Sequence, residues 1–303
     1  MLDEHGSILS SLDEPLADAS YIPTYMLCRL ARRHVTVALS GDGGDELFAG
    51  YPTFAAEELA VKIERLPEWI IHAMRLCADR LPTSMNNLSF DFRLKQFLKG
   101  MSYKGLVRSQ VWLGAFSDRD SEKLLAPSLQ KQASRAYSTL SQLTPGGNTH
   151  WMQALQAFYF QFYLQGDILV KVDRASMANS LEVRSPFLDD RLVQSMLGMP
   201  ASLKMKSGVP KYFLKKAMVG RLPSNIIYRG KKGFGIPIAK WIRQDLRNEF
   251  EATLSGAELK KDGLFSPAEV RRLLDEHHSG KTDNRKKLWT LYVFQKWKRQ
   301  WKV

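Results

Sequence analysis

Apolar residues recur at helical spacing through most of this chain. Ile22, Tyr25, Met26 and Leu30 share one face of a helix predicted from Tyr21 to Arg33. Pro23 suits its first turn, and Arg29, Arg32 and Arg33 gather at its C-terminal end, where the helix dipole favours cations. The pattern then changes. Val35 to Leu39 is a short, mostly apolar run rich in β-branched residues and bounded by charged residues and glycine, which predicts a buried parallel strand. It runs into Ser40-Gly41-Asp42-Gly43-Gly44-Asp45-Glu46, and a helical pattern resumes at Leu47. Strand, glycine-rich turn and helix is the form of an α/β ligand site at a strand's carboxyl end.

From there nearly every segment reads as helix. Pro67 suits a first helical position, with Ile70, Met74, Cys77 and Leu81 following on one face. Pro82 to Ser89 is a polar loop. Pro145-Gly146-Gly147-Asn148 breaks the chain before an aromatic-rich helix from Trp151 to Leu164, and a further helix is predicted from Asp167 to Leu181. Ser185-Pro186 ends another segment, Arg229 to Pro237 is a glycine-rich loop, and Leu288 to Trp301 is a last helix. Only one strand is evident, and one strand cannot form a sheet. Its partners are either cryptic in this sequence or lie outside it.

Composition narrows the class. The 303 residues carry 44% hydrophobic and 25% charged residues, ordinary globular usage that excludes a disordered chain. The 44 Lys and Arg against 31 Asp and Glu give a net charge of +13, which favours anionic partners without choosing among them. Cys28 and Cys77 alone exclude a disulfide framework or a cysteine-rich zinc site, and adjacent His277 and His278 point to different faces of a helix. The acidic start lacks the basic region of a signal peptide, and no apolar run is long enough for a membrane span. A soluble, cytoplasmic chain is expected.

Three segments carry candidate chemistry. In the Ser40–Glu46 turn, Gly41, Gly43 and Gly44 let a ligand approach the backbone, and the following helix offers a partial positive end to phosphate. Asp42, Asp45 and Glu46 are hard oxygen ligands suited to Mg²⁺ on phosphates. A plain acidic turn capping a helix accounts for the same residues. The segment Asp167 to Asp189 sets Lys171, Asp173, Arg174, Glu182 and Arg184 among apolar residues. Lys171 and Arg174 share a helix face, locally a solvated one, and Arg184 beside an apolar turn suggests a partly buried ion pair with Glu182. In Arg229 to Pro237, Lys231 and Lys232 between glycines could close over an anion, or could simply keep a surface loop soluble. The basic tail places Trp289, Val293, Trp297 and Trp301 on one stripe. Because Leu288 to Phe294 is apolar nearly all round, the stripe is expected to dock on the core, ahead of a nucleic acid or a membrane surface.

Together these segments resemble the synthetase domain of the asparagine synthetase B family. The matching pieces are LDEPLADASYIPTY (Leu12 to Tyr25), VALSGDGGDELFAGY (Val37 to Tyr51), DILVKVDRASMANSLEVRSPFLD (Asp167 to Asp189) and RGKKGFGIPIAKW (Arg229 to Trp241), in the family's order. They look most like the bacterial amidotransferase branch. The resemblance implies an α/β fold, the C-terminal part of an adenine nucleotide alpha hydrolase-like (ATP pyrophosphatase) domain, mostly helical with few parallel strands. Residues 1–303 would then be a partial synthetase domain.

The resemblance further implies activation of a small carboxylate, usually aspartate, by Mg-ATP through an acyl-adenylate, followed by attack of ammonia released from glutamine. Ser40 and Gly41 would touch ATP, and Asp45 would help hold Mg²⁺ and pyrophosphate. Asp42 stands where the family has an acidic residue tied to adenylate formation. Lys231 would stabilise charge during adenylation and amide formation, with Lys171 and Arg184 as phosphate and architectural contacts. The family's glutaminase domain opens with a cysteine after the initiator Met, where this chain has Leu2, and its Ser-Gly-Gly-x-Asp-Ser pyrophosphate loop precedes the strand found here. The expectation is a ligase that works with an upstream polypeptide supplying both; with the family's first strands upstream, the strand Val35 to Leu39 is then expected to expose apolar surface. An inactive remnant with a binding or assembly role, or a basic nucleic-acid or membrane-surface binder using the tail, are the alternatives, in that order. Nucleic acid is not expected among the partners.

Overall fold

The strand leading into the glycine-rich turn has a partner. In the computed structural model, which describes residues 2–81, 84, 89–143, 150–230 and 233–302, β1 (Val37–Leu39) pairs in parallel with β2 (Glu182–Arg184). The register sets Val37 opposite Glu182, Ala38 opposite Val183 and Leu39 opposite Arg184. Two further main-chain bonds extend the pairing, Glu182 N–H to Thr36 O at 3.0 Å and Ser40 N–H to Arg184 O at 2.8 Å. The fold is mostly helical α/β, and β1–β2 is the only sheet among the described residues.

Two corrections concern this sheet. The sequence shows one strand, whereas a second exists in Glu-Val-Arg, three residues too short to display an alternation and charged at both ends. The strand is parallel as expected but is not buried: Val37 is 40% and Leu39 73% exposed. A hydrophobic run reports what a segment prefers to bury, and does not report what is present to cover it.

The chain divides into two compact units. The first holds Ser20–Arg65 and Pro145–Phe234. Its helix Tyr21–Arg32 appears as predicted and buries Tyr21, Ile22, Pro23 and Cys28, while Leu30, placed by spacing on the inner face, is 54% exposed. The helices predicted at Trp151–Leu164 and Asp167–Leu181 are one uninterrupted helical stretch. Trp151–Phe158 passes into a π-helical segment, Tyr159–Leu169, and then into Val170–Met177, so Gly166 causes no break. Tyr159 stacks on Tyr51 and Phe54 with ring centroids 4.9 and 5.2 Å apart. This aromatic packing binds the helical stretch to the segment after the turn.

The second unit holds Leu2–Ala19, Leu66–Thr144 and Gly235–Val303. Its C-terminal helix, Arg285–Trp301, buries Leu288, Trp289, Leu291, Tyr292 and Val293, and Phe250 stacks on Tyr292 at 4.3 Å. The tryptophan stripe docks within this unit over Trp289 and Val293, while Trp297 is half-buried and Trp301 is 50% exposed. Trp297 Nε1 donates to Asp13 O at 2.9 Å, and Trp301 Nε1 donates to Leu12 O at 3.2 Å. Glu68–Asp79 also appears as predicted, with Pro67 one position earlier, at the N-cap, and Cys77 exposed. Most of the predicted Pro82–Ser89 loop and the Pro145–Asn148 break lie outside the described residues. No helix among the described residues is long and apolar enough to cross a membrane.

Candidate functional site

The turn after β1 is shaped by its glycines, each for a different reason. Gly44 N–H bonds to Gly41 O at 3.2 Å and closes the turn. Gly43 has φ +86°, the left-handed region in which a side chain is strained. A Cβ on Gly43 would also stand 2.3 Å from Leu188 Cδ2, and one on Gly44 would stand 3.2 Å from the Phe187 ring. Both glycines therefore admit the short helix Pro186–Leu188 against the turn. Gly41 faces open space, with nothing within 4 Å of an added Cβ. Of the three predicted ligand-facing glycines, only Gly41 faces away from the protein.

The helix after the turn is shorter than its sequence predicts. It spans Gly44–Leu47, one turn inside the acidic motif, and a new helix starts at Pro52. A single turn aligns few peptide dipoles, so its N-terminal end offers little of the anticipated positive charge.

Ser40, Gly41, Asp42 and Asp45 are brought together on this loop. Ser40 Oγ lies 2.9 Å from Ser185 Oγ, which ties the loop to the end of β2. Arg184 reaches the loop through its main-chain bond from Ser40, and its side chain turns outward. The predicted pair with Glu182 forms at 2.8 Å, but both side chains are exposed, at 66% and 56%. The expectation of a partly buried pair is corrected: the exposed pattern of β2 carries both charges on its solvated face. Lys171 is buried on Val170–Met177, while Arg174 on the same helix forms an exposed pair with Asp173 at 2.5 Å. Lys231 and Lys232 lie outside the described residues.

Spacing along the chain does not show the partners that these loop residues acquire. Asp45 Oδ1 is 2.7 Å from Lys211 Nζ. Lys211 stands just before the helix Tyr212–Met218 in a left-handed conformation, φ 55°, and its N–H bonds to Phe48 O at 3.0 Å. Gly50 lets this pair pass: a Cβ there would come within 2.2 Å of Lys211 Cε. Glu46 is buried and accepts from Tyr51 OH at 2.6 Å. Gln156 Nε2 donates to Glu46 O and Leu47 O at 2.9 and 3.1 Å, and its Oε1 accepts from the buried Lys204 ammonium at 2.8 Å. The one available signal was Gln156, a polar residue on the apolar face that Leu155 and Tyr159 also occupy.

Burial raises the Glu46 carboxyl above its ordinary value, the Tyr51 hydrogen bond opposes this, and the charges of Asp45 and Asp42 add to it. Burial lowers the Lys204 ammonium to about 8. A raised carboxyl favours the folded state fully below its unfolded value and loses that contribution as pH rises through the folded value. Glu46→Gln is therefore expected to raise the melting temperature at pH 8, with the gap closing toward pH 4. The amide oxygen still accepts from Tyr51, so thermal scans across that range isolate the charge.

A glycine turn, a serine, two carboxylates and a lysine counter-charge thus lie together at the carboxyl end of a parallel strand in an α/β fold. A family model described as asparagine synthase matches residues 1–299, and the chain belongs to that family. It is 32% identical over 98% of its length to asparagine synthetase [glutamine-hydrolyzing] 1 of Bacillus subtilis, covering 45% of that protein. It is 34% identical over 94% of its length to a putative asparagine synthetase [glutamine-hydrolyzing] of Mycobacterium tuberculosis, covering 42% of it. The chain thus spans less than half the length of these curated relatives.

Proposed function

We propose that these residues form part of an ATP-dependent ligase that amidates a carboxylate, aspartate or a related acid, through an acyl-adenylate. The observation that carries this reading is the loop itself: an open Gly41 beside Ser40, with Asp42 and Asp45 on the same turn. Ser40 and Gly41 would bind ATP, and Asp42 would act in adenylate formation. Lys231 would offset charge on the departing pyrophosphate. Lys171 and Arg184 are proposed as supporting contacts, Arg184 through its main chain.

Magnesium fits this residue set in a limited way. No group of three side chains that could hold a metal by itself occurs among the described residues. Mg²⁺ usually takes one or two carboxylates and completes its shell with phosphate and water, and Asp45 with Asp42 can supply that share. When bound, the ion would neutralise charge on the triphosphate.

The proposed complete activity draws ammonia from glutamine and a pyrophosphate loop from sequence outside these 303 residues. The coverage of the relatives supports this, and so does the exposed apolar face at Val35, Val37 and Leu39. The setting would be the cytoplasm, where ATP and aspartate are available.

The test is release of pyrophosphate and AMP from Mg-ATP with aspartate and ammonium. It is run on this chain alone and joined by the family's missing regions. Release is expected in the joined form, weak or absent in the chain alone, and abolished by Lys231→Ala with the fold intact. Full release by the chain alone overturns the need for outside sequence. No release in either form overturns the ligase reading.

A further inference from the structure

Each carbonyl from Asp45 to Phe48, at the exit of the acidic turn, has a donor. Asp45 O accepts from Gly50 N–H at 2.7 Å, and Phe48 O accepts from Lys211 N–H at 3.0 Å. The two between them, Glu46 O and Leu47 O, both accept from Gln156 Nε2, at 2.9 and 3.1 Å. A helix as short as Gly44–Leu47 leaves its last carbonyls without partners inside the helix. One side chain on the helix Trp151–Phe158 therefore ties down the middle of this exit.

Gln156 can face the turn in only one way. Its Oε1 accepts from Lys204 Nζ at 2.8 Å, and Lys204 ends the short helix Ala201–Lys204. An ammonium only donates and a carbonyl only accepts, so the amide oxygen points to Lys204 and the amide nitrogen to the turn. Reversed, the amide would set its N–H groups against the ammonium and its oxygen against two carbonyls. Both side chains are buried, with Gln156 2% and Lys204 1% exposed, and both belong to the first unit. The arrangement does not favour stability. Among the described residues burial is the one influence on the Lys204 ammonium, which it lowers to about 8. A buried charge whose partner is a neutral amide is destabilising relative to an apolar side chain of similar size. What the charge supplies is direction, since it orients the amide that holds the turn.

We propose that Gln156 and Lys204 are positioning residues for Mg-ATP: Lys204 orients the Gln156 amide, and the amide fixes the turn that carries Asp42 and Asp45. The inference rests on the ligase reading of that turn. Both side chains are too buried to touch the nucleotide, so they act through the main chain of Glu46 and Leu47. Asp45 directly precedes the first carbonyl that Gln156 holds, and a turn released at that point carries its carboxylate with it. A displacement of about 1 Å is enough to weaken a positioned contact. A pair that merely supported the fold would act differently. Its loss would lower the folded fraction, and so kcat, while the folded molecules kept the parent's KM.

The test measures pyrophosphate release against Mg-ATP in the joined form, for the parent, Gln156→Glu and Lys204→Met. Gln156→Glu keeps the size and the acceptor facing Lys204 but has no donor for the turn. Lys204→Met keeps the length, removes the charge and leaves nothing to orient the amide. Both are expected to raise KM for Mg-ATP about tenfold, with kcat within about threefold of the parent. Equilibrium binding of ATP to the same variants is expected to weaken alike, which reads the change without turnover. The urea midpoint of Lys204→Met is expected to match or exceed the parent's. Gln156→Glu retains the ammonium and its partner, so it reads the same change in KM even where Lys204→Met is too unstable to assay. The inference is overturned by parent-like KM in the folded variants, by loss of the fold in both, or by lower kcat at unchanged KM with a lower urea midpoint. Release by the parent with unshifted variants overturns this inference alone, whereas no release by the parent overturns the ligase reading beneath it.

Discussion

Gly43→Ala is expected to lower stability by about 3 kcal/mol, whereas Gly41→Ala leaves it within about 1 kcal/mol of the parent. Two costs act at Gly43. Its φ of +86° places alanine in the left-handed region, a penalty of about 1–2 kcal/mol. The added methyl would stand 2.3 Å from Leu188 Cδ2, so Leu188 must leave its place against the turn, at a further cost of about 1–3 kcal/mol. At Gly41 neither cost applies, since no atom lies within 4 Å and φ is outside the left-handed range. The ligand properties should divide the other way. On the proposed reading Gly41→Ala weakens ATP binding at least tenfold, because the methyl occupies the approach to the backbone. Urea denaturation and equilibrium ATP binding on the two variants check both halves. Parent-like stability in Gly43→Ala would mean that the turn and Leu188 repack freely.

That contrast shows what the sequence carried and what it did not. The glycines of the motif are visible as glycines, but their different duties depend on Phe187 and Leu188, far along the chain. The helix Tyr21–Arg32 was legible because its apolar face repeats at the helical period and its capping charges are local. β1 was legible as a strand from its own residues; its exposure was not in that run, which asks for burial, and followed only from the family's first strands lying upstream of it. β2 was hidden by its length: three residues, with Glu182 and Arg184 both exposed, leave no pattern to detect. The π-helical segment was hidden for another reason. Its residues suit an α-helix equally well, and the two helices read as Trp151–Leu164 and Asp167–Leu181 run on as one stretch, with Tyr159 and Tyr163 packed on Tyr51. Lys211 was missed altogether. A lysine ahead of a helix is commonplace, and only the folded chain sets it against Asp45.

Asp45→Asn and Lys211→Met are expected to shift the magnesium dependence of the proposed reaction in opposite directions. The Asp45 carboxylate is held by Lys211 at 2.7 Å, with side chains 24% and 30% exposed. On the proposed reading the same carboxylate serves the metal, so ammonium and metal compete for one negative charge. Asp45→Asn removes that charge. Pyrophosphate release should fall at least a hundredfold, about 2.7 kcal/mol in the barrier, and half-maximal rate should need more Mg²⁺. Lys211→Met removes the competitor instead. Half-maximal rate should then need less Mg²⁺, the maximal rate should fall by less than tenfold, and stability should drop by about 1 kcal/mol from the lost pair. The measurement is the rate of pyrophosphate release against Mg²⁺ at saturating ATP, in the joined form that supports the reaction. A shift in the same direction for both variants would make the pair a support for the Phe48–Lys211 junction and remove Asp45 from the metal. Opposite shifts would identify Lys211 as the group that holds Asp45 in place until the metal arrives with its nucleotide.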